Sequence, residues 1–212
     1  MTVKIGLIGD PHATTAPVSE ALTLLKQEGV DTILCPGDIA GYGTDLGPTV
    51  ALLVDSGCRV VLGNHDLWWL NRPDRQEDGA VESYLRGLPT VIEFSVGGKK
   101  LNMVHASPPE SLVDGIRLLD EKGRILQDRK EFWTGYLKPF SFDVLVVGHT
   151  HQVFAERLGD ILVVNPGSTC FNHTCAVLTL PAMEVQFFPL GGRMPVLSWN
   201  WGIESREDEV RR

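Results

Sequence analysis

Five of the six histidines fall at or just after the end of a short apolar run. Asp10 and His12 close the run VKIGLIG. Asp38 follows Gly37 after DTILC, and Asn64, His65 and Asp66 follow Gly63 after RVVL. His105 ends KKLNMV, and His149 and His151 follow Gly148 after DVLVV. Carboxylate oxygen, amide oxygen and neutral imidazole together suit Mn, Fe, Zn or Ni better than a structural thiolate zinc site would. In an extended backbone alternate side chains point the same way, so the pairs Asp-x-His and His-x-His can each reach one centre. Gly37, Gly63 and Gly148 let the chain turn sharply and bring backbone close to ions. A single histidine at a strand end is ordinarily a satisfied surface or core side chain. Five such elements in order are not ordinary.

The runs themselves read as strands. Val3–Gly9, Asp31–Cys35 and Arg59–Leu62 alternate with helical spacing over Val18–Glu28 and Leu46–Ser56. That succession predicts βαβ units with a parallel sheet, whose strand carboxyl ends line a ligand crevice. Further on, Thr90–Val96 and Lys100–Val104 flank Gly97-Gly98, a hairpin signal. A mostly helical stretch is expected from Ser111 to Leu137, then a buried strand over Asp143–Val147. Short strands follow at Gln152–Arg157, Ile161–Val164, Cys175–Leu180 and Glu184–Phe188. Together they predict an α/β fold with two packed sheets and helices outside. In the tail, Leu197, Trp199, Trp201 and Ile203 alternate as a strand would. Two tryptophans on one side would pack on the domain or on a partner chain.

Composition bounds the rest. The 212 residues are 43% hydrophobic and 22% charged, an ordinary globular balance that fits one domain over residues 1–204, with a frayed tail at 205–212. The net charge of −8 argues against long nucleic acids and anionic membranes, where a basic face is expected, but not against a phosphate whose charge metal ions offset. No apolar run approaches the roughly 20 residues that cross a bilayer, and the N-terminus lacks signal-peptide character. Cys35, Cys58, Cys170 and Cys175 show no CxxC spacing and read as small buried thiols of a reducing cytosol.

The ordered motifs resemble the calcineurin-like metallophosphoesterase superfamily. The match runs through Asp10/His12, Gly37-Asp38, GNHD at 63–66, His105 and GHTH at 148–151. GDIAGYG at 37–43, VHASP at 104–108 and NPGS at 165–168 are similar to small bacterial phosphodiesterase-like members. The resemblance implies a four-layer αββα sandwich of two mostly mixed sheets flanked by helices. It also implies two divalent metal ions, manganese favoured for activity. Asp10, His12 and His151 would hold the first ion, Asn64, His105 and His149 the second, with Asp38 bridging. His65 would act on the leaving group, oriented by Asp66. Three features depart from the family pattern: Pro11-His12-Ala13 lacks the glycine common after the histidine, Leu62 replaces the arginine of protein phosphatases, and Thr169–His173 lacks the usual Arg-containing segment.

The implied chemistry is hydrolysis of a phosphomonoester or phosphodiester. Two cations sharing a water bring its pKa toward neutrality, and the hydroxide attacks phosphorus in line. His65 gives a proton to the leaving oxygen. The expected partner is a small phosphate ester, with Trp68 and Trp69 pointing to a nucleotide type. An idle scaffold of the same fold and a nuclease stand as alternatives, and a homo-oligomer stays open. Trp68 and Trp69 are adjacent on a helix and point about 100° apart, so one face can hardly bury both. The ring left out lies near the mouth of the site, where it could stack on a base.

Overall fold

The computed structural model describes residues 1–73 and 79–200. Its strands are β1 (Val3–Leu7), β2 (Thr32–Cys35), β3 (Arg59–Val60), β4 (Val91–Val96), β5 (Lys99–Val104), β6 (Val144–Val146), β7 (Val153–Leu158), β8 (Ile161–Pro166), β9 (Thr174–Leu180) and β10 (Glu184–Pro189). The helices are α1 (Thr15–Gln27), α2 (Leu46–Asp55), α3 (Asn64–Leu70), α4 (Gly79–Arg86) and α5 (Gln127–Leu137). One sheet has the order β10-β9-β1-β2-β3 and the other β4-β5-β6-β8-β7. Both are mixed. β1-β2-β3 and β5-β6-β8 run parallel, while β9, β10, β4 and β7 pair antiparallel. The expected two mixed sheets flanked by helices are present.

Period-2 alternation builds the layers. In β6, Val144 and Val146 join the inter-sheet core, while Leu145 and Val147 face the other way toward α5. In β9, Ala176, Leu178 and Leu180 point into the same inter-sheet core, and Cys175 and Val177 meet Ala21 and Leu25 of α1. Strands β6 and β9 therefore bury both faces, which is why these segments read as continuous apolar runs. Truncating a fully buried Leu here carries the usual cost of about 2–5 kcal/mol. Helix α1 ends where Gly29, at φ +68°, lets Gly29 N–H and Val30 N–H fold back onto Lys26 O and Leu25 O.

The stretch expected to be helical from Ser111 is helical only from Gln127. Polar turn chemistry holds the preceding residues instead. Asp120 Oδ1 accepts from the backbone of Lys122 and Arg124, and the buried Gln152 amide accepts from Leu118 and Leu119 while donating to Leu119 O. Side-chain bonds to nearby amides compete directly with helix formation. Helix α4 went unassigned in the sequence reading. Leu197–Asn200 is not a strand but a strap, joined to Gln152 through a single bridge at Ser198. Trp201, Ile203 and the expected frayed tail lie outside the described residues. All four cysteines are free thiols. No helix among the described residues is long and apolar enough to cross a membrane.

Candidate metal centre

The carboxyl ends of the parallel strands of both sheets meet at one place. β1 leads into Asp10 and His12, β2 into Asp38, β3 into Asn64, β5 into His105, and the segment after β6 into His149 and His151. Asp10, His12, Asp38, Asn64, His105 and His151 are all buried, and His149 is half-buried. The ligand atoms of Asp10, His12 and His151 lie within 4.8 Å of one another, as do those of Asp38, His105 and His149. A third group within the same distance joins His12, Asp38 and His65. Asn64 Oδ1 stands 2.9 Å from both His105 Nε2 and His149 Nδ1.

Backbone strain accompanies this convergence. Among the described residues, eight non-glycine positions have positive φ, and six of them are Asp10, His12, Ala13, Asp38, His149 and His151. Such conformations persist where surroundings over-determine them, and they concentrate at functional sites. Here His12 N–H donates to Asp38 O at 3.0 Å, Ala13 N–H to Ile39 O at 2.6 Å, and His149 N–H to Asp10 Oδ1 at 3.0 Å. The NPGS segment pins the same loops: Ser168 Oγ donates to Asp10 O at 2.6 Å and Asn165 Nδ2 to Gly148 O at 2.9 Å. Gly63 is required by close approach, because a Cβ there would collide with the Asp38 carboxylate and its backbone nitrogen.

The donor set fits divalent cations. His105 Nδ1–H donates to Pro36 O at 2.6 Å and His12 Nδ1–H to Ala40 O at 3.2 Å. In both rings Nδ1 is held by a backbone carbonyl and Nε2 is turned to the centre, the arrangement of a metal-binding histidine, and in His12 that Nε2 carries a lone pair. His12 Nε2 then faces His151 Nε2 at 2.9 Å, a repulsive meeting unless a cation or proton lies between. Asp10 Oδ2 is buried with no hydrogen-bond partner, an expensive state for a carboxylate without a cation.

Electrostatics agree. Burial pushes the Asp10 carboxyl up to about 8, with the Asp38 charge adding to the shift and His105 opposing it. Burial opposes the Asp38 charge as well, but His105, His12 and His65 hold that carboxyl well below the usual range. For His105 burial is outweighed by Asp38, which raises the imidazole to about 9. Burial lowers His12 and His149 to about 4 and holds His151 well below its ordinary value. Three neutral imidazoles, the ionised Asp38 and a buried Asp10 carboxyl that a cation would deprotonate are ready to take positive charge.

Two parts of the site differ from the sequence reading. Asp66 was expected to orient His65. Its carboxylate instead accepts from the backbone of Gly63 at 2.9 Å, Asp38 at 3.0 Å and Ala40 at 2.7 Å. Gly63 has no side chain to cap α3, so Asp66, in the first turn, reaches back to its amide and ties the β2 and β3 loops together. The second difference is a ring cluster that metal-ligand spacing could not reveal. Tyr42 lies 5.0 Å from His12 and 4.9 Å from His65, between ring centroids. Phe171 stacks on His151 at 5.2 Å and meets Trp199 at 4.8 Å. The strap carries Trp199 there, its N–H bonded to His151 O at 3.0 Å. The aromatic letters at 42, 171 and 199 were visible, but nothing in their spacing linked them.

A profile of the calcineurin-like phosphoesterase superfamily domain matches residues 3–185. An uncharacterized protein of Methanocaldococcus jannaschii is 28% identical, over 77% of this chain and 68% of its own length. A second protein of that organism, named a phosphodiesterase, is 23% identical over 79% of this chain and 85% of its own length. The crystal structure of a hypothetical protein from Pyrococcus horikoshii superposes with a TM-score of 0.71 at 18% identity, covering 99% of this chain and 93% of that one.

Proposed function

The chain belongs to the calcineurin-like phosphoesterase superfamily and is a metal-dependent phosphoesterase, and from this premise we propose that it hydrolyses small phosphodiesters with two divalent cations. Asp10, His12 and His151 would hold one ion, Asn64, His105 and His149 the other, with Asp38 able to serve both. The observation that carries this reading is the pair of imidazole nitrogens, His12 Nε2 and His151 Nε2, facing each other 2.9 Å apart while the Nδ1 of His12 is committed to Ala40 O. The relative named a phosphodiesterase supports the diester class.

When bound, the cations supply the charge that neutralises phosphoryl oxygens and lowers the pKa of a water to nucleophilic strength. The chain's own residues do the rest. Asp38 is held between His12 and His105, with Oδ1 accepting from His65 N–H at 2.9 Å, so its two oxygens are aimed in fixed directions. His65 is only partly buried, and its ring lies 4.9 Å from that of His12. From this position beside the centre, His65 would give a proton to the departing oxygen. Burial lowers its pKa, with Asp38 working the other way.

The experiment is a screen of manganese-loaded protein against alkyl, aryl and nucleotide diesters, alongside His65→Ala. The variant is expected to lose roughly 10²–10⁴-fold in kcat on alkyl esters, the range for a lost general acid. Esters of p-nitrophenol need little help in leaving and should lose less, with the metal content unchanged. A wild type that cleaves none of the panel would sink the phosphodiesterase reading. Equal losses across leaving groups would take proton donation from His65.

A further inference from the structure

Trp68 and Trp69 part company in α3. Trp69 packs against the core beneath α2 and α4, while Trp68 is 54% exposed and rests 4.7 Å from His65, three residues back on the same helical face. Tyr42, 56% exposed, lies 4.9 Å from the same ring. The partly buried His65 ring thus meets two large aromatic rings turned to water. Scattered exposed rings are common on protein surfaces. These two are not scattered: both touch the residue that faces the leaving group.

Their position limits what they can contact. With phosphorus at the metal centre, the leaving oxygen lies against His65, so a ring bonded directly to that oxygen would cover His65 itself. Trp68 is one ring further out, while Tyr42 lies beside both His12 and His65. A flat group reaches Trp68 only when a spacer about the size of a sugar separates it from the ester oxygen. Resting on the phosphodiesterase reading above, we propose that Tyr42 and Trp68 form a subsite that stacks the base of a nucleoside leaving group. The enzyme accordingly selects nucleotide-type diesters over simple alkyl ones. Stacking on such rings tolerates any base, so the selection is for a nucleoside and not for one letter.

The test uses manganese-loaded protein and three diesters: a dinucleoside monophosphate, bis(p-nitrophenyl) phosphate and glycerophosphoethanolamine. Trp68→Ala and Tyr42→Ala are each expected to raise the KM ratio of dinucleotide to glycerol ester about tenfold, as loss of one stacked base would. Trp68→Phe, which keeps a ring, should restore most of the ratio. Melting temperatures should stay near wild type, since both rings are largely exposed. A second readout does not need turnover: adenosine monophosphate should quench tryptophan fluorescence in the wild type and much less in Trp68→Ala. A wild type inactive on every ester would fail the hydrolase reading, while the quenching titration would still decide the subsite. An active wild type whose variants keep both the ratio and the quenching overturns the subsite alone. A rise confined to the nitrophenyl ester overturns the nucleoside assignment.

Discussion

Asp38→Asn is expected to cut turnover by more than the roughly 10²–10³-fold that losing a single charge-stabilising donor costs. Asp38 lies between the two clusters, 4.0 Å from His12 Nε2 and 3.4 Å from His105 Nε2. It is also the carboxylate that its neighbours hold most firmly ionised. The amide keeps the shape and one acceptor oxygen but removes the charge that the two proposed ions would share. Metal content should therefore fall from two ions toward one, with little change in secondary structure. Near-wild-type activity with two ions still bound would refute the bridging role.

Chelation is the second large effect. Stripping divalent cations should abolish activity and lower the melting temperature, because ions that bind only the folded chain stabilise it by mass action. The effect is about 2.7 kcal/mol at a hundredfold excess over Kd. Without ions, the buried Asp10 Oδ2 has no hydrogen-bond partner to offset its burial. Manganese or another first-row ion should restore activity better than magnesium, since His12, His105, His149 and His151 are poor partners for magnesium. Full recovery with magnesium alone, or an unchanged melting temperature after chelation, would count against the site.

Much of this centre was readable because its logic is local. A strand buried on both faces shows as an apolar run, and the residue that ends it reaches the crevice whatever the rest of the fold does. That is why strand ends alone point to Asp10, His12, Asp38, Asn64, His65, Asp66, His105, His149 and His151, while the division into ligands and a catalytic pair is what the family resemblance implies. Asp66 was harder, since a carboxylate three residues into a helix caps backbone and flanks a histidine with the same letter. The stretch before α5 misled because Gln152, remote in sequence, supplies the bonds that replace a helix at Leu118 and Leu119. Phe171 and Trp199 meet only through the strap that bonds His151 and Asn172, and no periodicity carries such a contact. The tryptophan pair was half legible: helical geometry required one ring to leave the core, and only the packing of α2 and α4 decided that it is Trp68.

The number and place of the ions can be read from crystals of manganese-loaded protein measured on both sides of the manganese absorption edge. Two anomalous peaks about 3.5–4 Å apart are expected, the spacing of two-metal sites. One should lie among Asp10, His12 and His151, the other among Asn64, His105 and His149, with Asp38 between. A single peak, or two peaks that leave Asp38 without a metal contact, would contradict this arrangement.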